Sequence, residues 1–396
     1  MSQAQPFFMH LPDGVAHAAA RTPAFTVFWS LAMAMLVLNL GQVLGLGNIN
    51  ALEKMLFLAA AVCYLHGKSR DPVAGAGLAL MCLSTMITGL LTPFAAFSWV
   101  RLLFALIALI ALAAFFLAPP TLAQRRLMLV SIACAPLILI AYSLLLAALL
   151  GRPLFMRDHT GASRLGGATI PAFLAAASYA ATVAASFLYA ENRKPRWMLV
   201  AGVALALCAL SGTRMPSACA AASAALILMT ALSSAGARLA LAAGGGVLCT
   251  GFLLTAGDQI LIRILSGSSS GRDKLWDSLA PWVDRYPLTG VGFGHHGLLI
   301  PEHVLRLTNT TAAHNEYLRL LVELGYAGEA AFLLGILLLF LGRRLYSRAT
   351  WPLGVLLLAI FFLYASTDNV FYLSYALFVP LCIAVGAPLR AARRPG

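Results

Sequence analysis

Charge is what this sequence has least of. Only 10% of its 396 residues are Asp, Glu, Lys or Arg, against about a quarter in an average soluble domain. Apolar residues make up 61% of the chain, and its mean hydropathy is +0.87. No single soluble core hides that much apolar surface, so a soluble globular protein is excluded. Disorder is excluded too, because disordered chains are poor in apolar residues. The usual metal patterns are missing: there is no Asp-x-Asp, no Cys-x-x-Cys and no His-Glu-x-x-His. Cys63, Cys82, Cys134, Cys208, Cys219, Cys249 and Cys382 all fall inside apolar runs. They read as small packing residues rather than disulfide partners. The N-terminus lacks the basic start and cleavage site of a signal peptide, so none is expected.

Long apolar runs are what the chain does have. Twelve are found, near 24–40, 49–66, 73–91, 97–117, 127–150, 169–190, 197–211, 216–232, 239–256, 315–341, 351–366 and 370–386. Runs of this length predict membrane-spanning helices, hence an all-α polytopic membrane protein forming a single domain over 1–396. With the N-terminus placed in the cytoplasm, 15 of the 27 Lys and Arg residues fall on cytoplasmic segments and 9 on the opposite side. That bias predicts cytoplasmic N- and C-termini and an even number of spans. It also accounts for nearly all of the +13 net charge, which faces anionic inner-membrane lipids rather than nucleic acid.

Two extracytoplasmic segments interrupt the apolar pattern. Gly151–Gly167 carries Arg152, Arg157, Asp158, His159 and Arg164, and residues 257–314 form the one long polar loop. Within that loop, Ser266–Gly271 reads as flexible. Arg272–Arg285 reads as an amphipathic helix on the membrane surface, with Leu275, Trp276, Leu279 and Trp282 on one face. Arginines at a membrane edge usually snorkel, and Arg152, Arg157 and Arg306 fit that reading. Arg214 fits it less well. Its turn, Ser211-Gly212-Thr213-Arg214, offers free amides and a hydroxyl at a helix start, a combination suited to an anion. His314 opens the tenth run, where the helix dipole favours neutral imidazole, a form able to accept a proton. From this histidine alone, one that caps the helix or is hydrogen-bonded in the bundle is the better reading. Glu316, Arg319 and Glu323 share one helix face and are expected to pair. His295, His296, Glu302, His303 and His314 lie within twenty residues, but at spacings that match no helix-borne zinc site, so no metal is expected.

The stretch His314-Asn315-Glu316-Tyr317-Leu318-Arg319-Leu320-Leu321-Val322-Glu323-Leu324-Gly325-Tyr326-Ala327-Gly328 resembles the signature of the O-antigen ligase and polymerase superfamily of bacterial inner-membrane proteins. Leu210–Arg214 resembles that family's Ser-x-x-Arg turn. Gly271–Trp276 with Pro287–Gly294 resembles its Gly-Arg-x-x-x-Trp and Pro-Leu-x-Gly-x-Gly-x-Gly stretches. Arg164 with Gly166, Gly167 and Pro171 resembles its arginine before a helix start, although Ala172 stands where the family often has Asn.

The resemblance implies a membrane-embedded glycosyltransferase of the GT-C type. It implies an undecaprenyl-diphosphate-linked O-antigen as donor, a sugar hydroxyl of lipid A-core as acceptor, and inverting transfer on the periplasmic face of the inner membrane without a cofactor. On that reading Arg164, Arg214 and Arg272 hold the diphosphate. His314 is the general base, and Asn315, Tyr317 and Glu323 support it. O-antigen polymerase, protein O-oligosaccharyltransferase and a transporter of the same lipid are the alternatives. The chain shows no convincing internal repeat of the kind transporters carry.

Overall fold

The computed structural model describes residues 22–43, 49–157, 163–232, 272–342, 351–371 and 374–386, with isolated positions at 45 and between 234 and 243. Eleven of the twelve apolar runs coincide with helices: α1 (Thr22–Leu38), α2 (Ile49–Leu65), α3 (Pro72–Leu91), α4 (Trp99–Ala113), α5 (Leu122–Leu150), α6 (Pro171–Asn192), α7 (Pro195–Leu210), α8 (Arg214–Ala231), α11 (Glu316–Phe340), α12 (Trp351–Ala365) and α13 (Ser374–Gly386). The ninth run, 239–256, lies outside the described residues, apart from isolated positions at its start. Among the described residues, six helices are long and apolar enough to cross a membrane, and four more are apolar but shorter. The chain is thus an all-α multi-pass membrane protein.

Local chemistry sets the helix ends. Asp71 accepts from the amides of Val73 and Ala74 at the start of α3. Thr121 and Gln124 form a reciprocal capping box on α5, which closes on left-handed Gly151. Pro171 and Pro195 occupy the first turns of α6 and α7, where a missing amide costs nothing. The Ala-rich α6 is buried on nearly every side and sits at the centre of the bundle, touched by α5, α7, α8 and α13. Small residues let its neighbours approach closely, which is how helices gain packing energy in lipid. The α3–α11 pair shows the same device: a Cβ on Gly77 would lie 2.5 Å from the Gly335 carbonyl, so the two backbones touch.

Two features depart from the sequence expectations. Two short strands pair antiparallel, β1 (Phe155–Arg157) with β2 (Ser163–Leu165), with Met156 opposite Arg164. The helix expected at Arg272–Arg285 forms (α9), but its apolar face turns into the protein instead of onto the membrane surface. Leu275, Leu279 and Val283 are buried in a second apolar cluster with Val291, Leu299, Val304 and Val322. That cluster also takes in α10 (Glu302–Thr308) and ties the described part of the polar loop to the top of α11. Burial against protein contacts removes more apolar surface from water than a half-immersed helix can.

Candidate active site

Four helix ends and two turns meet at one end of the bundle. The starts of α6, α8 and α11 lie there, with the end of α12 and the turn that follows it. His314 precedes α11 in a left-handed conformation (φ 51). This region is sparsely used by residues other than glycine, though His visits it more than most. The neighbours hold it in place. Trp276 of α9 donates its indole N–H to the Ala313 carbonyl at 2.8 Å. Asn315 caps α11 by accepting from the amides of Tyr317 and Leu318, and the Tyr317 hydroxyl donates to Phe362 O at 2.9 Å.

The His314 ring meets a partner that the motifs did not supply. Its Nδ1 lies 3.4 Å from Oδ1 of Asp368, in the turn after α12. Asp368 is buried, and it also accepts from the Asn369 amide at 2.9 Å and the Tyr364 hydroxyl at 3.1 Å. Burial alone would push its pKa up, but these donors and the His314 ring outweigh it and hold the carboxyl below the usual carboxylate range. A carboxylate at Nδ1 fixes the imidazole tautomer and leaves Nε2 with its lone pair.

Arg272 comes within charge range of the same carboxylate and of Arg164. Arg272 opens α9, half-buried. Burial draws its guanidinium below the ordinary value; the Asp368 charge opposes that shift and the like charge of Arg164 adds to it. Arg164, on β2, lies across Gly212: a Cβ there would sit 3.0 Å from Arg164 Cγ and 3.2 Å from Nε. Gly212, at φ +69, therefore belongs to a turn that only glycine fills comfortably. Two residues on, Arg214 begins α8, exposed. Thr213 stands at the N-cap of α8, but its side chain makes no capping bond; its hydroxyl meets Ser211 instead. The turn thus combines an arginine with first-turn amides that no side chain caps. An arginine beside uncapped first-turn amides, with Arg164 across the same turn, suits an anion.

Glu323 enters the pairing with Arg319 that its helix face led one to expect. It lies fully buried with Arg319, which also pairs with Glu316, and it takes the amide and Nδ1 of His296 at 3.1 and 2.6 Å. This network braces a break in α11 rather than touching His314. Gly325 is non-helical (φ 66, ψ 177). The carbonyls of Val322 and Glu323 accept from Val291 and Gly292, while the Tyr326 amide donates to Pro287 O. The Pro287–Gly294 loop thereby completes the broken helix. The glycines are required by contact: a Cβ on Gly290 would lie 2.3 Å from the Glu323 carbonyl carbon, and one on Gly325 would lie 2.5 Å from that of Leu288.

The remaining histidines of the loop disperse. His295 stacks on Phe97 and its Nε2 accepts the Ser98 amide at 2.8 Å, while His303 is exposed. Arg306 pairs with Glu302 on the surface. Among the described residues, no three His, Cys, Asp or Glu side chains converge as a metal site would need. The six cysteines among them are free.

Fold and site together define a multi-pass helical membrane protein with a histidine–aspartate pair ringed by arginines at one end of its bundle. Residues 171–333 match the family model described as O-antigen ligase. The matched segment contains Arg214, Arg272 and His314 and runs through the break in α11; Arg164 and Asp368 lie outside it. No curated protein matches the chain.

Proposed function

We propose that the protein is an O-antigen ligase of GT-C type with twelve spans. In this reading it transfers a glycan from undecaprenyl diphosphate to a sugar hydroxyl of lipid A-core. The site faces the periplasm of a bacterial inner membrane and both termini are cytoplasmic. The observation that carries the reading is the convergence of His314, Asp368, Arg164 and Arg272 at one end of the bundle.

In the proposed step, Nε2 of His314 takes the proton of the acceptor hydroxyl as its oxygen attacks the anomeric carbon. The bond from that carbon to the diphosphate oxygen breaks, and undecaprenyl diphosphate leaves with the electron pair. Attack opposite the leaving group inverts the centre. Arg164, Arg214 and Arg272 hold the charge that grows on the diphosphate, in a partly desolvated site where such contacts are strong. Asp368 keeps the proton of His314 on Nδ1 and stabilises the imidazolium that forms. Asn315 and Tyr317 position the turn, and Glu323 holds the broken helix beneath it. Bringing two lipid-linked substrates into one groove supplies the proximity contribution. No step calls for a metal or a cofactor.

The test is transfer by purified protein, offered lipid A-core and an undecaprenyl-linked glycan as competing acceptors. Glycan found on lipid A-core, with acceptor-dependent release of undecaprenyl diphosphate, is the expected result. Product on the undecaprenyl-linked acceptor would make the enzyme a polymerase. Movement of the donor across vesicles without release would make it a transporter.

A further inference from the structure

A cavity of about 330 Å³ lies at the same end of the bundle but shares no residue with the His314 cluster. Its walls are Lys54 of α2, Ser98, Val100, Arg101 and Phe104 at the start of α4, and Gly294. Two cations from two helices thus face one space. Arg101 stands in the first turn of α4, where the helix dipole disfavours a positive charge. Its guanidinium makes no hydrogen bond or ion pair among the described residues. Lys54 has Glu53 beside it, but that carboxylate also accepts from the Ser374 hydroxyl at 3.3 Å. An anion in the cavity would offset the dipole penalty on Arg101. Arginine's planar fork with a lysine point charge suits a phosphate in particular. Val100 and Phe104 are 63% and 51% exposed at the start of a span, so the mouth of the cavity is bordered by surface suited to lipid. The loop that closes its far side is the one that mends α11, tied to Ser98 through His295.

We propose that this cavity binds a phosphate group of the acceptor glycolipid, leaving the Arg164, Arg214 and Arg272 end to the donor diphosphate. The assignment rests on the transfer reading above, and it gives each of the two lipid-linked substrates its own anion site on one membrane face.

Native mass spectrometry of the full chain in detergent tests it, with lipid A-core, its phosphatase-treated form, undecaprenyl diphosphate and inorganic phosphate offered separately and in competition. The wild type should retain phosphorylated lipid A-core about tenfold better than the dephosphorylated form. Arg101→Gln, at an exposed position that keeps the fold, should lower that retention about tenfold, and Val100→Glu should do the same by placing a negative charge at the mouth. Both should leave undecaprenyl diphosphate retention unchanged. Equal retention of the two lipid A-core forms would overturn the assignment, as would unaltered retention by Arg101→Gln. Loss of undecaprenyl diphosphate in these variants would make this the donor site instead, and displacement by equimolar inorganic phosphate would make it a free-anion site. Retention needs no turnover. Selective retention without any transfer would therefore fail the transferase reading and leave the cavity assignment standing.

Discussion

At the scale of single residues, the proposed chemistry turns on which nitrogen of His314 carries the proton. Asp368 already accepts from Asn369 and Tyr364, and its free direction meets Nδ1 of His314. Replacing it with Asn keeps the shape but offers the ring an amide that can donate, which favours the wrong tautomer. Asp368→Asn should therefore lower the transfer rate by roughly 10²- to 10⁴-fold with little change in acceptor KM, read from steady-state kinetics on purified protein. His314→Ala should abolish transfer while the protein still inserts at normal levels; a full lipopolysaccharide ladder in a complemented strain would sink the general-base role. Arg272→Lys keeps the charge but loses the two-pronged grip on phosphate oxygens, so it should rescue transfer poorly. Near wild-type rates would mean that Arg272 only anchors the membrane edge. His314 and the three arginines were legible in the sequence because they stand at the edges of apolar runs on the extracytoplasmic side, in stretches that resemble the family's motifs. Asp368 was not. It is one acidic residue in a short turn, and only the closing of the bundle sets it against His314.

At the scale of elements, the break in α11 is the least expected feature. Nothing in the pattern of apolar residues reveals it, because Glu316–Phe340 reads as one continuous helical run. The glycines do carry the signal, but their reason is visible only when the Pro287–Gly294 loop lies on the broken turn. Gly325→Ala and Gly290→Ala each place a methyl into a neighbouring backbone at positive φ. Each should lower stability by about 1–3 kcal/mol or more, seen as a drop in Tm of the detergent-solubilised protein. Gly202, inside α7 with open space where its Cβ would lie, is the control; Gly202→Ala should be neutral or stabilising, by up to about 1 kcal/mol.

The same loop is sensitive to acid through His295. Burial is the first cause holding its ring below the ordinary histidine value of 6.5. In the unfolded chain the ring binds a proton as pH falls through about 6.5, while the folded ring, giving its Nε2 lone pair to the Ser98 amide, resists until lower pH. Over that window the unfolded state holds more protons, so stability falls as pH falls; above it the contribution is constant. The Tm of wild type should therefore drop between pH 7.5 and 5.5 by more than that of His295→Asn. Equal drops would show that the loop is held without this bond.

At the scale of the whole molecule, the bias of Lys and Arg and the clustering of the site make one joint claim. The helix starts that carry the site and the basic segments that set orientation must lie on opposite faces of the membrane. The structure gives half of this geometrically, since Arg164, Arg272, His314 and Asp368 share one end of the bundle, whereas the start of α7 with Arg193 and Lys194 lies a full helix length away along α6. Orientation against a real membrane is the other half. Ser278, on the solvent side of α9, and Asn192, at the far end of α6, provide the two reporters. In intact spheroplasts, a maleimide too polar to cross the membrane should label Ser278→Cys at once and Asn192→Cys only after permeabilisation. The native cysteines among the described residues lie within the spans, where the thiolate that reacts is disfavoured. The reverse pattern would put the arginines on the cytoplasmic face, where the enzyme could not meet a donor already carried across the membrane. The transfer proposed here would then fail, whatever the local geometry of His314.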